Sequence, residues 1–565
     1  MAPSPLDGTP LAGLEHKIGM LIFQDEDLNI TIHKGPFGVT IPDRITCAVG
    51  LEAINSTSGK RLLVKEAVKK GELICSSKPL LNIIDDDNTL KYTCDNCMVT
   101  QINEMSSRHR TTSTTLPELI ADENIKFLAC GSCKILYYCS KKCQKEAWKD
   151  HHKFECGTFT KMQKVGAGEA LGKKKTRFLI RLLECRERGR LSESEWTEVL
   201  RLPTGRKSKM AMKPFDDVAV AVAEIVKAFV ETNVSADKIV DLFCMMHNNQ
   251  CAISIPLIKG CRMHDPTVPT ECMVGTSLEP FLAYISHECM PSARIVHESA
   301  ELRIRASRDI AAGEEVTLCY TPEIRDYQAR KSNLKTFGEI DCNCVLCQKG
   351  DFGPQGPLRD QVRALKDIDL ATSPNRIGDV KLGIQAMLDA GFGWGADPMR
   401  ELHQQLLRGY FAKMNAVECL KIALKMRYQI EPAQYPPTSM QSRIETLYVL
   451  QSFLNFPAPG ASKLGDLPMK VKELAAQVNF NLRDMLARDV AQCFGSDSMV
   501  ANFEKDFAER QGIEFNKHVQ RSSKRKLYKY VPLGQSEAAR VKFVKNMNEL
   551  LEWAGLDALE AKDLL

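Results

Sequence analysis

The pattern of apolar and polar positions divides residues 45–321 into alternating β-rich and helical stretches. Residues 45–85 carry short apolar runs of β type, separated by a polar turn with Gly71 at its tight position. Residues 160–248 repeat apolar side chains near the helical period. Residues 249–321 return to the alternation of half-buried strands, with the last strand predicted at 316–320. The pattern therefore predicts an α+β fold in which a helical segment separates two β-rich segments.

The C-terminal part of the chain has a different texture. Residues 353–357 are rich in glycine and proline, which predicts a linker, and residues 358–565 contain one helical pattern after another. Two proline-rich stretches, 435–437 and 457–460, interrupt these helices. We expect an all-α, tetratricopeptide-like C-terminal domain, although no strict repeat of about 34 residues marks the helices.

Composition places the chain among ordinary folded proteins. It has 565 residues, of which 44% are hydrophobic and 26% are charged, and this length predicts several domains. The net charge of +5 is small for the length. Basic runs such as 173–175 and 524–526 are typical of solvated faces, so direct nucleic-acid binding is not expected. No membrane span is expected either, because no apolar run approaches about 18 residues.

Whether the cysteines are expected to form disulfides depends on the cellular compartment. The N-terminal residues show no basic stretch followed by an apolar core, so no secretory signal is expected. Without export, the 21 cysteines are expected to be reduced thiols and metal ligands rather than disulfides. We therefore expect the protein to reside in the nucleus, the cytoplasm or both.

Seven cysteines and one histidine lie in closely spaced pairs between positions 94 and 156. A spacing of two or three residues lets one tight turn aim two ligands at the same tetrahedral ion, which is typical of zinc sites. Eight ligands predict two closed sites, and closed sites are structural because no position is left for water. The pairs are Cys94-x2-Cys97, Cys130-x2-Cys133, Cys139-x3-Cys143 and His152-x3-Cys156.

Two adjacent histidines compete for the last ligand position of this set. The segment 144–155 is predicted to be helical, and the i,i+4 spacing places His152 and Cys156 on one helix face. This geometry favours His152, and His151 is the open alternative. Between the first two cysteine pairs, residues 99–129 are polar and low in complexity, which predicts a loop.

A second cysteine cluster follows the β-rich segment. Cys342-x-Cys344-x2-Cys347 is one ligand short of a tetrahedral zinc site, so a fourth ligand has to come from elsewhere in the chain. The alternative is a redox or packing role for these cysteines.

The block at 90–158 resembles the MYND zinc finger. The resemblance covers all eight ligand positions and the framing aromatic residues Tyr138 and Trp148. The long insert at 99–129 and one extra residue before His152 depart from the family pattern. Because MYND fingers bind proline-containing peptides, partners of that kind are implied. The implied ligand sets are interleaved: Cys94, Cys97, Cys139 and Cys143 for one ion, and Cys130, Cys133, His152 and Cys156 for the other.

Two later segments resemble the signatures of SET-domain lysine methyltransferases. Residues 285–292 resemble the Asn-His-Ser-Cys-x-Pro-Asn signature, and residues 313–320 resemble the Gly-Glu-Glu motif that ends in a tyrosine. The resemblance implies that Cys289 joins the cluster at 342–347 around a third zinc ion. It also implies that Tyr320 is the catalytic tyrosine, lining the channel in which the lysine amine meets the methyl donor.

The same resemblance implies S-adenosyl-L-methionine as the methyl donor. Gly59 stands in the place of a Gly-x-Gly whose backbone approaches the cofactor, and residues 249–253 are similar to a segment that supplies an asparagine. An ordinary turn and strand are the alternatives for these two segments. Phe337 is the nearest aromatic residue to the last cysteine cluster and a candidate wall of the channel. The implied cofactor-binding residues are Gly59, Asn249, Ser286, His287, Tyr320 and Phe337.

The order of these segments resembles the SET and MYND domain-containing (SMYD-type) protein-lysine methyltransferase family. It implies an α+β fold in which a β-rich SET domain is split by a MYND zinc finger and a helical insertion. A zinc-bound post-SET segment and the all-α C-terminal domain would follow. The expected segments are an N-terminal extension (1–44), the SET N-terminal part (45–85), the MYND finger (90–158), the helical insertion (160–248), the SET core (249–321), the post-SET segment (322–350) and the C-terminal domain (358–565).

The family resemblance implies methyl transfer to a lysine of a protein substrate, whether a histone or another protein. Three positions depart from the SET signatures: Ser286 and Ser292 stand where asparagine is typical, and Arg61 stands where the second glycine of Gly-x-Gly is typical. Each change falls near the implied cofactor site. The alternative function is therefore a catalytically weak scaffold that acts as a transcriptional or assembly adaptor through its zinc finger.

Overall fold

A computed structural model shows a mixed helical and sheet protein built from two compact units. Among the described residues, the first unit comprises 41–255 with 271–348, and the second comprises 349–564. None of the described helices combines the length and the apolar character needed to cross a bilayer. The described residues are 41–56, 59–100, 126–206, 213–256, 271–321, 327–338, 340–351, 353–434, 440–454, 467–498, 500–510, 531–533 and 536–564.

The strands of the first unit lie on both sides of a helical segment in the sequence, which confirms the mixed α and β character predicted from periodicity. The predicted strand over 316–320 is shorter than expected, because only two of its residues pair. The strands are β1 Ile45–Cys47, β2 Leu51–Ser56, β3 Gly59–Val64, β4 Leu73–Ser77, β5 Leu81–Ile84, β6 Leu128–Ala129, β7 Tyr137–Tyr138, β8 Gln250–Pro256, β9 Glu271–Leu278, β10 Ser286–His287, β11 Ala293–Glu298, β12 Glu301–Ala306 and β13 Thr317–Leu318.

Two sheets join segments from the two β-rich stretches. The larger has the order β1-β4-β12-β11 with antiparallel neighbours, and Ser77 of β4 lies between Ile45 of β1 and Leu302 of β12. The other has the order β5-β9-β8, with Leu81 opposite Leu278. The helical segment between the two stretches is thus accommodated without breaking either sheet.

A smaller arrangement of strands positions the residues near Tyr320. The hairpin β2-β3 extends toward the segment before β13, since Leu62 O accepts from Val316 N and Val64 O accepts from Gly313 N, both at 2.7 Å. Strands β10 and β13 pair in parallel. The predicted tight turn after β3 is confirmed, because Gly71 has a φ of +86° that a side chain would disfavour.

The helices of the first unit carry the zinc finger and the insertion between the two β-rich stretches. A capping box formed by Ser192 and Glu195 begins α5. One turn of π-helix, Trp148–His152, links α2 to α3. The helices are α1 Asp87–Leu90, α2 Lys141–Ala147, α3 Lys153–Lys164, α4 Lys174–Glu187, α5 Glu193–Leu200, α6 Lys213–Phe229, α7 Ala236–Asn249, α8 Tyr327–Gly338 and α9 Val345–Gln348.

In its described part, the second unit is helical. The predicted linker at 353–357 is wrong at its C-terminal end, because α10 already begins at Gly356, with Pro357 in the first turn where proline is favoured. The proline-rich breaks at 435–437 and 457–460 lie outside the described residues, and the tetratricopeptide-like arrangement stays a prediction. The helices include α10 Gly356–Lys366, α11 Ile377–Asp389, α12 Met399–Ala412, α13 Ala416–Lys425, α14 Glu431–Gln434, α15 Met440–Leu454, α16 Met469–Phe494, α17 Glu537–Trp553 and α18 Ala561–Leu564.

The apolar core of the first unit has two large clusters. One packs the zinc finger against α4, with Phe159 and Phe178 among its fully buried side chains. The other packs the strands around Leu62, Ile304 and Tyr320. The candidate catalytic tyrosine is therefore part of a core rather than of an exposed loop.

Candidate zinc sites and candidate active site

Two tight turns shape the paired cysteines of the finger. Met98 and Lys134, the residues that follow two of the Cys-x2-Cys pairs, have φ values of +59° and +57°. In each turn the backbone folds back, since Met98 N donates to Cys94 O at 2.9 Å and Lys134 N donates to Cys130 O at 3.1 Å. This left-handed turn brings both sulfurs of a pair to the same side.

The first ligand set combines one such turn with the start of α2. Ser140 caps the helix by accepting from Cys143 N at 3.1 Å, which holds Cys139 and Cys143 on either side of the cap. The Sγ atoms of these two cysteines lie 3.5 Å apart, and Cys97 Sγ lies 3.7 Å from Cys139 Sγ. All four ligand atoms of Cys94, Cys97, Cys139 and Cys143 lie within 4.8 Å of one another.

These separations fit zinc. Four sulfurs at about 2.3 Å from one tetrahedral ion are about 3.8 Å apart, which is close to the observed Sγ–Sγ distances. The set has four soft ligands and no open position, so an ion here is structural.

The second ligand set includes His152 at the end of the π-helical turn, and the structure brings this histidine rather than His151 to the three cysteines. Cys133 Sγ lies 3.6 Å from His152 Nε2, and Cys130 Sγ lies 3.7 Å from Cys156 Sγ. His151 instead points to Asp95, with 2.7 Å between Nε2 and Oδ2. The four atoms of Cys130, Cys133, His152 and Cys156 again lie within 4.8 Å of one another.

The third cysteine cluster comes together as expected from the sequence. Cys289 Sγ lies 3.8 Å from Cys342 Sγ and 3.5 Å from Cys347 Sγ, and Cys344 completes the set within 4.8 Å. These distances fit a tetrahedral zinc ion as well as the first set does. Cys289 lies two residues after the end of the short strand β10, so this cluster is attached to the segment that carries Ser286 and His287.

Tyr320 is held in place at both its ends. Its side chain is only 3% exposed, and its hydroxyl donates to the carbonyl of Ile285. Its backbone N–H donates to His287 Nδ1 at 3.0 Å, with the two ring centroids 5.2 Å apart. Burial, with a contribution from Glu315, raises the pKa of Tyr320 above its usual value, so the phenol stays protonated at neutral pH.

The tautomer of His287 follows from its partners. Burial lowers the pKa of His287 to about 4, so the ring is neutral at neutral pH. Because Nδ1 accepts from the backbone of Tyr320, Nε2 carries the ring proton, and it faces Cys289 Sγ at 3.4 Å. One imidazole therefore connects the tyrosine to the third cysteine cluster.

Two of the departures from the SET signatures meet at Glu315. Ser286 Oγ donates to Glu315 Oε1 at 2.5 Å, and Arg61 Nη1 lies 3.6 Å from Glu315 Oε2. The third departure, Ser292, is fully buried and accepts from Thr317 N at 2.8 Å while donating to Glu315 O at 3.0 Å. The side chains at the three positions that depart from the SET signatures thus hold the segments around β13 together.

The remaining predicted cofactor residues are more scattered. Gly59 is the first residue of β3 and pairs with Ser56 in the hairpin. Asn249 ends α7 and is 3% exposed, and its Nδ2 donates to Pro203 O at 2.9 Å and Met245 O at 2.7 Å. Phe337 lies in α8, but its side chain is outside the described residues.

Sequence reasoning missed a buried polar group beside the finger. Arg181 on α4 contacts Asp95 and Glu155, each of which neighbours a cysteine ligand in sequence. The available signal was a charged residue within the apolar run of a helix.

The basic run at 173–175 is not a solvated face throughout, because Lys174 is buried and its Nζ lies 2.8 Å from Asp85 Oδ1. The run at 524–526 lies outside the described residues.

The chain is similar in sequence to a zinc-finger family and to several lysine methyltransferases. The MYND finger family matches residues 118–156, which include the second ligand set. Histone-lysine N-methyltransferase SMYD3 of Mus musculus is 25% identical over 260 residues, or 45% of this chain and 53% of the relative. SMYD3 of Homo sapiens is 26% identical over 234 residues, or 40% and 50%. N-lysine methyltransferase SMYD2-B of Xenopus laevis is 24% identical over 336 residues, or 59% and 67%. The chain spans about half the length of the two SMYD3 relatives.

Proposed function

Because this chain is a SET and MYND domain protein, we propose that it is an S-adenosyl-L-methionine-dependent protein-lysine N-methyltransferase. The observation that carries the proposal is the position of Tyr320, which is buried and fixed by Ile285 and His287 beside the paired strands β10 and β13. Lysine methyltransferases among the relatives support the reaction class.

Tyr320 is suited to orient the lysine amine. Its hydroxyl proton is committed to the carbonyl of Ile285, so the phenol oxygen offers its lone pairs to an N–H of an incoming amine. The amine's own lone pair is then free to point at the electrophile. When bound, S-adenosyl-L-methionine supplies a sulfonium methyl group that such an amine can displace.

The buried surroundings of Tyr320 also favour the reactive form of the substrate. A free lysine side chain has a pKa of about 10.4 and is protonated at neutral pH. Transfer into an apolar channel lowers that pKa, because burial disfavours the ammonium form. The core around Tyr320, with Leu318 and Ile285, provides such surroundings.

Asn249 provides a test of whether the cofactor fits. Its buried Oδ1 finds no hydrogen-bond donor among the described residues, whereas its Nδ2 makes two bonds. A buried acceptor without a partner is costly, and the amino groups of S-adenosyl-L-methionine would supply a donor. Asn249, with the backbone of Gly59, Ser286 and His287, would hold the cofactor, and Phe337 would flank the channel.

The three cysteine sets would hold zinc as a scaffold. Two ions would lie in the MYND finger and one in the set of Cys289, Cys342, Cys344 and Cys347. Each set has four ligands and no place for a reacting group, so none of these ions takes part in methyl transfer.

The proposed partners follow from the MYND finger and from the candidate active site, both in the first unit. The MYND finger is a protein-interaction domain, for which we propose proline-containing peptides as ligands. The active site would take a protein substrate with a target lysine, in the nucleus, the cytoplasm or both. We propose neither a membrane nor a nucleic acid as a direct partner.

Transfer of a labelled methyl group tests the proposal. The zinc-loaded full chain is incubated with labelled S-adenosyl-L-methionine and either a histone mixture or a cell lysate, and the products are analysed for methyl-lysine. We expect labelled lysine, formed far more slowly with Tyr320→Phe. Absence of transfer to every substrate, together with intact folding and zinc content, would contradict the proposal.

A second candidate function rests on the departures at Arg61, Ser286 and Ser292. Because two of these side chains pair with Glu315 and the third bridges Thr317 and Glu315, they are used within the fold. A chain that keeps the fold but no longer binds the cofactor would act as an adaptor through its finger. Binding of a proline-containing peptide without binding of S-adenosyl-L-methionine would favour this function.

A further inference from the structure

A buried guanidinium lies between the two ligand sets of the finger. Arg181 is 2% exposed, and its partners Asp95 and Glu155 are equally buried. Its Nη2 donates to Asp95 Oδ1 at 3.0 Å and to Glu155 Oε1 at 2.6 Å, while its Nε donates to Glu155 Oε2 at 2.8 Å. The contact to Glu155 is therefore a two-point fork, which fixes the carboxylate in orientation as well as in distance.

Each carboxylate in turn belongs to one ligand set. Asp95 lies between Cys94 and Cys97 in the tight turn of the first set, and its backbone N–H donates to Tyr137 O at 2.9 Å. Glu155 precedes Cys156 of the second set, and its Oε1 lies 3.2 Å from His152 Nδ1. This is the arrangement in which a carboxylate orients a metal-bound histidine through its other ring nitrogen.

The same group of side chains could be mistaken for a further metal site. Ligand atoms of Asp95, His151 and Glu155 lie within 4.8 Å of one another. The positive charge among them is supplied by Arg181, whose donors already occupy oxygen atoms of both carboxylates. His151 Nε2 lies 2.7 Å from Asp95 Oδ2 and completes the group.

The guanidinium also reaches outside the finger. Arg181 Nη1 donates to Asn82 O at 2.7 Å, and Asn82 lies in β5, which pairs with β9. A single side chain on α4 thus contacts the surroundings of the first set, the surroundings of the second set and a strand of the β-rich part.

We propose that Arg181 is a positioning residue that fixes the ligands of both finger zinc sites through Asp95 and Glu155 and couples their retention of zinc. Without the guanidinium, two buried carboxylates repel each other and the fork on Glu155 is lost. Asp95, which lies within the Cys94–Cys97 turn, then loses the partner that fixes its side chain, and Glu155 loses the fork that orients it toward the ring of His152. Loss of such outer contacts typically lowers metal affinity 10–100-fold.

The coupling predicts a distinct pattern for three substitutions. Glu155→Gln keeps the shape of the side chain but weakens its hydrogen bond to His152 Nδ1. The second set should therefore lose zinc more readily, and the first should not. Asp95→Asn should affect the first set and not the second. Arg181→Met should affect both. The cluster of Cys289 and Cys342–Cys347 lies apart from these contacts and serves as an internal reference.

Zinc release from the full chain measures the pattern. Variants loaded with zinc are titrated with a chelator, and released zinc is counted with a colorimetric dye. Parallel samples loaded with cobalt distinguish the nitrogen-containing set of His152 from the all-sulfur sets by their visible spectra. We expect Arg181→Met to release two equivalents at 10–100-fold lower chelator concentration, with one equivalent unchanged, and Arg181→Lys to lie between Arg181→Met and the unsubstituted chain because lysine cannot form the fork.

Arg177 provides the matched control for loss of a buried arginine. It lies one turn earlier on α4, is 1% exposed, and donates to the backbone carbonyls of Ile84 and Asp85, each at 2.7 Å. Arg177→Met should leave the release pattern of all three equivalents unchanged, even if the chain melts at a lower temperature. The same two-equivalent release in Arg177→Met would overturn the proposal.

Two further outcomes also overturn it. Release of all three equivalents together in Arg181→Met would mean general unfolding. If Arg181→Met fails to fold, the conservative variants Glu155→Gln and Asp95→Asn decide: release of zinc from neither finger site at lower chelator concentration would contradict the role of these contacts.

Discussion

The backbone N–H of Tyr320 donates to Nδ1 of His287 at 3.0 Å. This bond places the candidate catalytic tyrosine next to a neutral imidazole whose other nitrogen faces Cys289 Sγ at 3.4 Å. The site proposed for methyl transfer and the third cysteine cluster are therefore connected through one side chain.

Replacement of Tyr320 by phenylalanine tests the role of its hydroxyl. We expect the rate of methyl transfer to fall on the order of 100-fold, because the amine loses its orienting acceptor. The dissociation constant of S-adenosyl-L-methionine should change little. Initial rates with labelled cofactor and calorimetric binding measure the two quantities separately. Tyr284→Phe removes a hydroxyl from the neighbouring turn and should leave both unchanged, whereas an unaltered rate in Tyr320→Phe would show that the channel lies elsewhere.

Loss of the third zinc ion should lower the rate of methyl transfer at Tyr320, because His287 connects the two sites. Cys289→Ser removes one ligand of the cluster, so the zinc content should fall by one ion per chain while the two finger ions stay bound. The rate of methyl transfer should fall with it, because the ring of His287 loses its partner. Zinc content and rate are measured on the same preparation. Cys319→Ser is the control, since that thiol lies beside Tyr320 but donates to Thr321 O at 3.1 Å; full activity in zinc-depleted Cys289→Ser would refute the connection.

Glu315 should hold the cofactor-binding segments in place through Ser286 and Arg61. Glu315→Gln replaces a charge-assisted hydrogen bond by a neutral one and should lower the free energy of unfolding by about 1 kcal/mol. If the same amount is lost from cofactor binding, the dissociation constant rises about five-fold. Calorimetry and urea unfolding measure the two effects.

Glu314 gives the matched control for this prediction. Its Oε1 lies 2.6 Å from Arg308 Nη1, and its Oε2 accepts from Ala311 N at 2.8 Å. Glu314→Gln should therefore leave the cofactor dissociation constant unchanged. Equal effects of the two substitutions would show that Glu315 has no special relation to the cofactor site.

The second unit should lose stability in mild acid because of His403. Burial lowers the pKa of His403 to about 4, although its hydrogen bond to Met399 O acts in the opposite direction. The unfolded chain binds a proton at its ordinary pKa of 6.5 and the folded chain does not, so stability is full above pH 6.5 and falls as the pH drops toward 4. At pH 5 the loss from this one group is about 2 kcal/mol.

Urea unfolding of the full chain at several pH values measures this loss. In His403→Asn, whose amide nitrogen can replace Nδ1 as the donor to Met399 O, the decrease between pH 6.5 and 5 should be smaller. An identical slope in the variant and the unsubstituted chain would contradict the role of His403.

The ligand residues could be predicted from the sequence because their geometry is local. A Cys-x2-Cys pair closes through one turn, and the left-handed residues Met98 and Lys134 show how. The choice of His152 over His151 could only be favoured, because it depends on Asp95, a residue far away in sequence that takes His151.

The contacts that the sequence did not reveal join distant segments. Arg181 and Asp95 are 86 positions apart, so no spacing rule brings them together. The strand predicted over 316–320 ends early for a related reason: the backbone N–H of Tyr320 donates to the side chain of His287 and not to a neighbouring strand. Side-chain partners of this kind cannot be read from the alternation of apolar residues.

Binding of S-adenosyl-L-methionine to the zinc-loaded full chain tests the central claim most directly. Isothermal titration should show saturable binding of one cofactor per chain, weakened in Asn249→Ala because the buried acceptor Oδ1 would be lost. The contradicting result is a chain with all three zinc ions bound that gives no heat of binding at millimolar S-adenosyl-L-methionine and does not bind the demethylated product either. That result would leave the adaptor function as the account of this protein.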